Sequence, residues 1–280
     1  MINRRINSYF LLLLFSGFLF SSCCSLNVKK WGVGRIKKYE FAHPDVPALF
    51  EGFKIVFLAD FHYKSQFNQK RLKKLIEAVN QLHPDLILLG GDYHEGCQYV
   101  PELFSELSRM NAEYGTIAVM GNNDYEDCYH DIMRLATENG IRVLEQESDT
   151  IKQSGEQIII TGIADPFDLK KNGRSPTLDL KPEDFVVLLV HTPDYVEDVS
   201  VSNTDLALAG HLHGGQVTFF GLYAPVLPSR YGQRFRSGLK HNSEDIPVII
   251  TNGIGTSQKN IRMFAPSEIV LITLKRVSED

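Results

Sequence analysis

Cysteine is scarce in this chain. Four cysteines occur in 280 residues, and two of them, Cys23 and Cys24, lie near the N-terminus. The other two, Cys97 and Cys128, are too few for a framework of disulfide bonds, so the core must stabilise the fold. Hydrophobic residues make up 43% of the chain, which is enough for a large core. We therefore expect Cys97 and Cys128 to be unpaired and partly buried thiols.

The chain also lacks an excess of basic residues, low-complexity linkers and repeats of fixed period. Its net charge is −5, which argues against a general nucleic-acid surface and leaves small anionic substrates open if bound metals supply positive charge. The length and the missing repeats favour one large domain. We place this domain at residues 51–280, after a signal or anchor segment at 1–24 and a linker and entry segment at 25–50, and expect a monomer.

The N-terminal segment is typical of export or anchoring. Arg4 and Arg5 precede the apolar stretch 9–20, which is short for a spanning helix. The sequence Phe20-Ser21-Ser22-Cys23 resembles a bacterial lipoprotein cleavage box, although Phe20 replaces the usual aliphatic residue. Lipid attachment at Cys23, an uncleaved signal anchor and a cleaved secretory peptide all remain open. We expect a protein of the bacterial cell envelope that contacts the membrane through its N-terminus, on a side that stays undetermined.

Five short apolar runs each end at a residue that can hold a metal ion. Such runs predict strands buried on both faces, and ligands bind beyond the carboxyl ends of strands in layered α/β folds. The runs at 55–59, 86–89, 117–120, 186–190 and 206–209 lead into Asp60 and His62, Asp92, Asn122, His191, and His211 and His213.

The pattern between these runs predicts the architecture. Apolar residues recur at helical spacing over 72–82 and 103–110, between the first three runs, which predicts parallel strands joined by crossover helices. After Gly140 helices become scarce. We predict a four-layer αββα sandwich of two mixed sheets flanked by helices. Further strand candidates lie at 141–144, 158–161, 185–190, 205–209, 247–251 and 269–274.

The residue types at the strand ends favour metal binding. Asp60 and His62 stand two apart, so on an extended backbone both side chains point to one face and can hold one ion. His211 and His213 repeat this spacing. One such pair is weak evidence for a metal site. Ligand-type residues at five strand ends in one chain are strong evidence for it. The alternative, that these residues only cap strands and helices, does not explain why every strand end carries a ligand.

Five blocks carry a family resemblance that covers about residues 53 to 275. They resemble the ordered signatures of the calcineurin-like metallophosphoesterases. Residues 214–216 and 253–257 are most similar to the bacterial envelope-associated branch, whose members act as phosphodiesterases or cleave UDP-diacylglucosamine. The blocks are Asp60-Phe61-His62, Gly91-Asp92, Gly121-Asn122-Asn123-Asp124, His191 and Gly210-His211-Leu212-His213.

This resemblance implies a site with two divalent metal ions and a bridging water that attacks phosphorus. Such a mixed oxygen and imidazole set suits manganese, iron or zinc better than magnesium alone. By the resemblance, Asp92 bridges the metals, one metal is held by Asp60, His62 and His213, and the other by Asn122, His191 and His211.

One position departs from the family pattern. Most relatives have Gly-Asn-His-Asp where this chain has Asn123 in place of the histidine. An asparagine donates a hydrogen bond but cannot deliver a proton to the leaving group. The rate of hydrolysis should therefore fall least for a substrate with an acidic leaving group, such as an anhydride. Alternatively His94 or Asp124 takes over the role. We count Asn123 and Asp124 as candidate catalytic residues.

Two further stretches bear on the substrate. The apolar segment 217–227 either contacts acyl chains or a bilayer, or forms in part a buried strand. The basic residues after it either bind phosphate oxygens or lie in a solvated loop. The candidates for substrate binding are His94, Arg230, Arg234 and Arg262.

The sequence therefore predicts a phosphohydrolase tethered at the cell envelope. It would depend on metal and split a phosphodiester or pyrophosphate bond in a small anionic, lipid-linked or UDP-sugar substrate. Two alternatives remain, a non-catalytic metal-binding envelope lipoprotein and a phosphoprotein phosphatase.

Overall fold

The apolar runs become the central strands of two sheets in the computed structural model, which describes residues 33–277. The first sheet has the order β1-β12-β2-β3-β4-β5, and only the β12–β2 pair is antiparallel. Its strands are β1 Arg35–His43, β2 Lys54–Leu58, β3 Leu86–Leu89, β4 Thr116–Ala118, β5 Ile141–Val143 and β12 Glu268–Arg276.

The second sheet has the order β10-β11-β9-β8-β7-β6. Its four inner strands are parallel, and the outer pairs at each edge are antiparallel. Both sheets are therefore mixed. The strands are β6 Glu147–Gln153, β7 Glu156–Gly162, β8 Val186–Val190, β9 Leu206–Ala209, β10 Gly238–His241 and β11 Pro247–Ile250.

Helices cover the outer faces of the two sheets. The first sheet packs against α1, α2 and α4, whose apolar faces join its core, and α1 begins at the side-chain cap of Asn68. The second sheet is covered by α6 and loops. The helices are α1 Gln69–Asn80, α2 Val100–Leu107, α3 Asn122–Glu126, α4 Tyr129–Glu138, α5 Leu169–Asn172 and α6 Tyr195–Asp198.

The two sheets share a core. In β2, Val56 and Leu58 pack toward the helices, whereas Ile55 and Phe57 join the cluster between the sheets. Leu189 in β8 belongs to the same inter-sheet cluster. Because strands of this kind are buried on both faces, they appear in the sequence as continuous apolar runs. The predicted αββα sandwich is confirmed.

Three strands were missed by the sequence analysis, and all three lie at sheet edges or in edge hairpins. The first strand falls within the predicted linker and entry segment 25–50, so the first sheet includes residues before position 51. Its side chains are only partly buried, and Arg35 contacts the buried Glu268 of β12 at 2.7 Å. Strands β6 and β10 are likewise polar and partly exposed. Apolar runs do not mark strands of this type.

The expectation of unpaired cysteines is wrong. Cys97 and Cys128 form a disulfide, with their Cα atoms 5.4 Å apart. Cys97 is exposed in the loop after β3, and Cys128 is partly buried just before α4. Few cysteines exclude a framework of disulfides, but they do not exclude a single pair that the fold brings together.

We predict that the double substitution Cys97→Ser, Cys128→Ser lowers the free energy of unfolding by about 2–4 kcal/mol, because the disulfide restricts the unfolded chain. Urea denaturation followed by circular dichroism measures this change. A reductant should destabilise the unmodified protein and leave the double variant unaffected. Equal stability of the unmodified protein with and without reductant would contradict the prediction.

Among the described residues, no helix is long and apolar enough to cross a membrane. The segment at 1–24, with its candidate lipidation residue Cys23, lies outside residues 33–277. The predicted N-terminal anchor therefore stays a prediction.

Candidate metal site

The carboxyl ends of five strands meet at one edge of the sandwich. Strands β2, β3 and β4 of the first sheet and β8 and β9 of the second each lead into a predicted metal-binding residue. The structure brings the carboxylates and histidines among them into two adjoining groups.

The first group consists of Asp60, His62 and His213, all buried, with ligand atoms within 4.8 Å of one another. Its residues come from both sheets, since Asp60 and His62 follow β2 and His213 follows β9. The Nε2 atom of His213 lies 3.8 Å from Oδ1 of Asp60. The three side chains can therefore face one cation.

The second group consists of Asp92, His191 and His211, again with ligand atoms within 4.8 Å of one another. The Nδ1 of His191 lies 2.7 Å from the Gly90 carbonyl. Donation of a proton there fixes the tautomer and leaves Nε2 as a ligand atom. His211 and His213 thus lie in different groups.

Asp92 joins the two groups. Its Oδ2 lies 3.4 Å from Nε2 of His62 in the first group and 3.4 Å from Nε2 of His191 in the second. One carboxylate thus faces ligands from both sheets. This is the geometry expected of a bridging ligand.

Asn122 starts α3 beside this carboxylate. The preceding Gly121 lies so close to Asp92 and His191 that a Cβ at this position would collide with both. Oδ1 of Asn122 and Nε2 of His62 are buried and have no hydrogen-bond partner among residues 33–277. Buried polar atoms normally have a partner. Cations at these groups would supply one, so the residues present fit divalent metal ions.

The backbone at the site is strained. Asp60, His62, Asp92, His211 and His213 have φ angles of 54°, 40°, 55°, 68° and 51°. The extended conformation expected for the pairs Asp60/His62 and His211/His213 is therefore wrong. Left-handed backbone in residues other than glycine costs about 1–3 kcal/mol each and is concentrated at functional sites.

Burial and charge give the site residues unusual pKa values. Burial raises the pKa of Asp60 to about 6. It would lower the pKa of His62, but the carboxylates of Asp92 and Glu95 raise that pKa to about 10. Burial and the nearby His191 lower the pKa of His211 to about 3. Metal ligands bind as carboxylates and neutral imidazoles, so metal binding at this site would release protons.

Comparison with known families decides the class of the protein. The family model described as calcineurin-like phosphoesterase matches residues 53–215. The chain belongs to this family. It is a metal-dependent phosphoesterase, as the sequence analysis predicted.

Two bacterial relatives illustrate the similarity of this phosphoesterase to known proteins. The uncharacterized metallophosphoesterase YkuE of Bacillus subtilis is 28% identical over 235 residues, which cover 82% of each chain. An uncharacterized metallophosphoesterase of Aquifex aeolicus is 27% identical over 249 residues, which cover 86% of this chain and 92% of the relative. The alignments therefore include most of the domain.

Solved structures are more distant from this phosphoesterase. An archaeal phosphodiesterase is 15% identical, covers 72% of this chain and 84% of its own, and has a TM-score of 0.36. Likeness at this level supports no statement about substrate.

Glu95 is a site residue of the phosphoesterase that the sequence analysis missed. Its Oε1 lies 2.7 Å from Nδ1 of His62, on the opposite side of the ring from Asp92. A carboxylate in this position orients a ligating histidine and makes it more basic. Glu95 lies three residues after Asp92 in the chain. The only signal in the sequence that could have identified it is the general rule that a metal-binding histidine donates its other ring N–H to a carboxylate or carbonyl group.

Asp124 and His94 lie behind the site in the phosphoesterase. Asp124 is buried and accepts the backbone N–H groups of Asp92, Tyr93 and Gly121 at 2.7, 3.0 and 2.8 Å. His94 accepts the N–H of Gly96 at 3.0 Å. Its Nε2 lies 3.3 Å from the Asp127 carbonyl. These contacts indicate that both side chains hold the loops in place.

Asn123 lies at the site itself. Its backbone N–H donates to Oδ1 of Asp92 at 3.1 Å, and its Nδ2 lies 3.5 Å from Nδ1 of His62. The side chain is partly exposed. Of the two candidate catalytic residues, Asn123 is the one that can reach a bound substrate.

The arginines have different surroundings from those expected. Arg262 donates to the carbonyl groups of His213, Asn252, Gly255 and Ala265, which makes it a structural residue. Arg230 and Arg234 pair with acidic residues of α6, namely Asp198 and Glu197.

A cavity of about 870 Å³ adjoins the second metal group. The ring of Phe167 lines it and lies 5.1 Å from the ring of His211, measured between centroids. Lys170 and Arg230 also line it, together with Asp165, Asp168, Asp194 and Asp198. The cavity therefore opens beside the metal ligand His211, but its lining contains more carboxylates than cations.

We predict that Glu95→Gln weakens metal binding by about 10- to 100-fold, because His62 loses a charged partner. Calorimetric titration of the purified protein with Mn²⁺ measures the affinity without turnover. Glu138→Gln is a matched control, since Glu138 is an exposed carboxylate that pairs with Arg134 within α4 at 3.1 Å. Equal affinity of the two variants would rule out the orienting role.

Proposed function

We propose that the protein hydrolyses a phosphodiester or pyrophosphate bond with two divalent metal ions. One ion would be held by Asp60, His62 and His213, the other by Asn122, His191 and His211, and Asp92 would bridge them. The position of the Asp92 carboxylate, 3.4 Å from a histidine of each group, carries this proposal. The mixture of carboxylate, amide and imidazole ligands favours manganese, iron or zinc.

When bound, the metals supply an acidified water and positive charge for the phosphoryl oxygens. The chain itself supplies orientation. The Gly90 carbonyl and the Glu95 carboxylate each fix one histidine ring, while Asp124 fixes the backbone that carries Asp92. Asn123 is placed to donate a hydrogen bond to the substrate.

The leaving group of the proposed substrate is acidic. Asn123 cannot deliver a proton, and the contacts of His94 and Asp124 with the surrounding loops leave neither side chain free to replace it. An anhydride or another bond with a stable leaving anion needs no proton donor. This supports a pyrophosphate-type substrate, as in the branch that cleaves UDP-diacylglucosamine.

We further propose that the catalytic domain lies on the exported side of the membrane, held there through its N-terminal segment. The disulfide between Cys97 and Cys128 supports this location, because such bonds persist in oxidising compartments. UDP-linked substrates are cytoplasmic, so an exported domain favours a lipid-linked pyrophosphate or phosphodiester over a UDP-sugar.

A non-catalytic metal-binding lipoprotein is the second candidate. Asn123 favours it, because loss of the proton donor can accompany loss of turnover while the metal ligands still stabilise the fold. The two candidates differ in one measurable property, the hydrolysis of an activated phosphodiester.

We predict that the protein loaded with Mn²⁺ hydrolyses bis(p-nitrophenyl) phosphate. Asp92→Asn should lower kcat/KM by more than about 100-fold, because mutation of residues that only support metal ligands already lowers activity by up to about 100-fold. Release of p-nitrophenol measures the rate. The control is Asp131→Asn, an exposed carboxylate on α4 that pairs with Arg134. Activity that survives Asp92→Asn would refute the two-metal mechanism, and metal binding without turnover would support the second candidate.

We also predict that Asn123→His accelerates cleavage of diesters with alkyl leaving groups by about 10²-fold or more, because a general acid contributes 10²–10⁴-fold. Pyrophosphate bonds and aryl diesters should gain much less. The ratio of kcat values for an alkyl diester and a nucleoside diphosphate sugar measures the difference, with Asn123→Gln as the control. An equal gain on both substrates would show that position 123 does not set the preference.

A further inference from the structure

Exposed apolar side chains are concentrated in two loops beside the site. Leu222 and Val226 are 81% and 77% exposed, which is high for residues of this type. Segment 217–227 contains only isolated bridges and no strand, although Thr218 and Ala224 are buried, so the alternative of a buried strand is wrong. We call this surface the rim patch and define it by Phe219, Leu222, Tyr223, Val226, Met263 and Phe264.

The two loops of the rim patch are tied to each other. Met263 accepts a hydrogen bond from Thr218 N–H at 3.0 Å and donates its own N–H to the Gln216 carbonyl at 2.9 Å. The rings of Phe219 and Tyr223 stack with their centroids 6.4 Å apart. The two loops thus form one continuous surface. Contiguous exposed apolar surfaces of this kind mark interaction sites.

The rim patch is also fixed to the metal site. Arg262 lies between Ile261 and Met263 in the chain and donates to the carbonyl of His213 at 3.0 Å. From the other loop, the carbonyl of Gly221 accepts a hydrogen bond from Arg236 at 2.6 Å. A partner or surface that binds the rim patch would therefore lie next to the opening of the metal site.

The two loops that carry the patch contain no acidic residue. Segments 206–243 and 246–267 lack aspartate and glutamate, although Glu244 and Asp245 lie between them. Arg230 and Arg234 are paired with Asp198 and Glu197, and Arg236 and Arg262 donate to carbonyl groups, whereas Lys259, in the same loop as Met263, is exposed. An apolar surface with an exposed lysine and no carboxylate in its own loops is complementary to a membrane that contains anionic lipids.

The N-terminal side of the chain reaches the fold beside the same patch. Arg35 N–H donates to the Ser267 carbonyl at 2.9 Å, and Ser267 follows Phe264 of the patch by three residues. Cys23 precedes Val33 by ten residues, a distance of at most about 35 Å in an extended chain. A lipid or signal anchor in that segment would hold the rim patch near the bilayer.

We propose that the rim patch docks on the surface of an anionic lipid bilayer and holds the metal site at the membrane interface. Leu222 and Val226 enter the boundary between headgroups and acyl chains, and the exposed Lys259 contacts a lipid phosphate. The proposal does not depend on the reaction that the site catalyses, but it explains how a membrane-embedded phosphate would reach it.

The test uses the full-length protein with Trp31→Phe, which removes the only tryptophan. One variant adds Leu222→Trp. The matched control adds Leu49→Trp, because Leu49 is 43% exposed and precedes the amino end of β2, at the opposite edge of the sheet from the site. Both are anchored in vesicles of phosphatidylcholine and phosphatidylglycerol that contain brominated lipids, which quench tryptophan on contact.

We expect the Leu222→Trp emission to shift to the blue and to be quenched most by bromines at a depth of about 5–10 Å, while the Leu49→Trp emission stays unquenched. Replacing phosphatidylglycerol by phosphatidylcholine should weaken the quenching. Equal quenching of the two variants, or none, would overturn the proposal. So would a blue shift without vesicles that grows with protein concentration, since that would assign the patch to a second copy of the chain. Turnover plays no part in this readout.

Discussion

The position of one carboxylate, that of Asp92, depends on the packing of the whole sandwich. Its Oδ2 lies 3.4 Å from His62, which follows a strand of the first sheet, and 3.4 Å from His191, which follows a strand of the second. The distance between the two sheets is set by the core that includes Phe57 and Leu189. Loss of core volume there would change the separation of the metal ligands without touching any of them.

The strained backbone of the ligands is held by a second layer of polar contacts. Asp124 accepts N–H groups from Asp92, Tyr93 and Gly121, so one buried carboxylate fixes two strand ends. Burial and the nearby Asp92 raise the pKa of Asp124 to about 6, because both disfavour its charged form. The three donated hydrogen bonds offset part of that cost. A residue that first looked catalytic is therefore needed for geometry.

The sequence predicted the parts of this site that follow from local pattern. An apolar run that ends at Asp60 or His191 can be seen along the chain, because a strand buried on both faces is continuous in sequence. Strand β1 could not be found in this way, since its polar residues are typical of an edge. The disulfide and the contact between Glu95 and His62 join residues 31 and 33 positions apart, and only the folded chain shows which partners meet.

Arg262 shows why residue type alone does not assign a role near such a site. The loop from Gly255 to Ala265 contains no regular helix or strand, so its carbonyl groups need donors from elsewhere. A guanidinium group has five N–H donors in a fixed plane, and that of Arg262 serves four carbonyls around His213. Burial lowers its pKa to about 10, so it stays charged at neutral pH. From its residue type, Arg262 was expected to bind a phosphate of the substrate. Instead it hydrogen-bonds to the metal ligand His213 and holds the loop that carries Met263 and Phe264 of the rim patch.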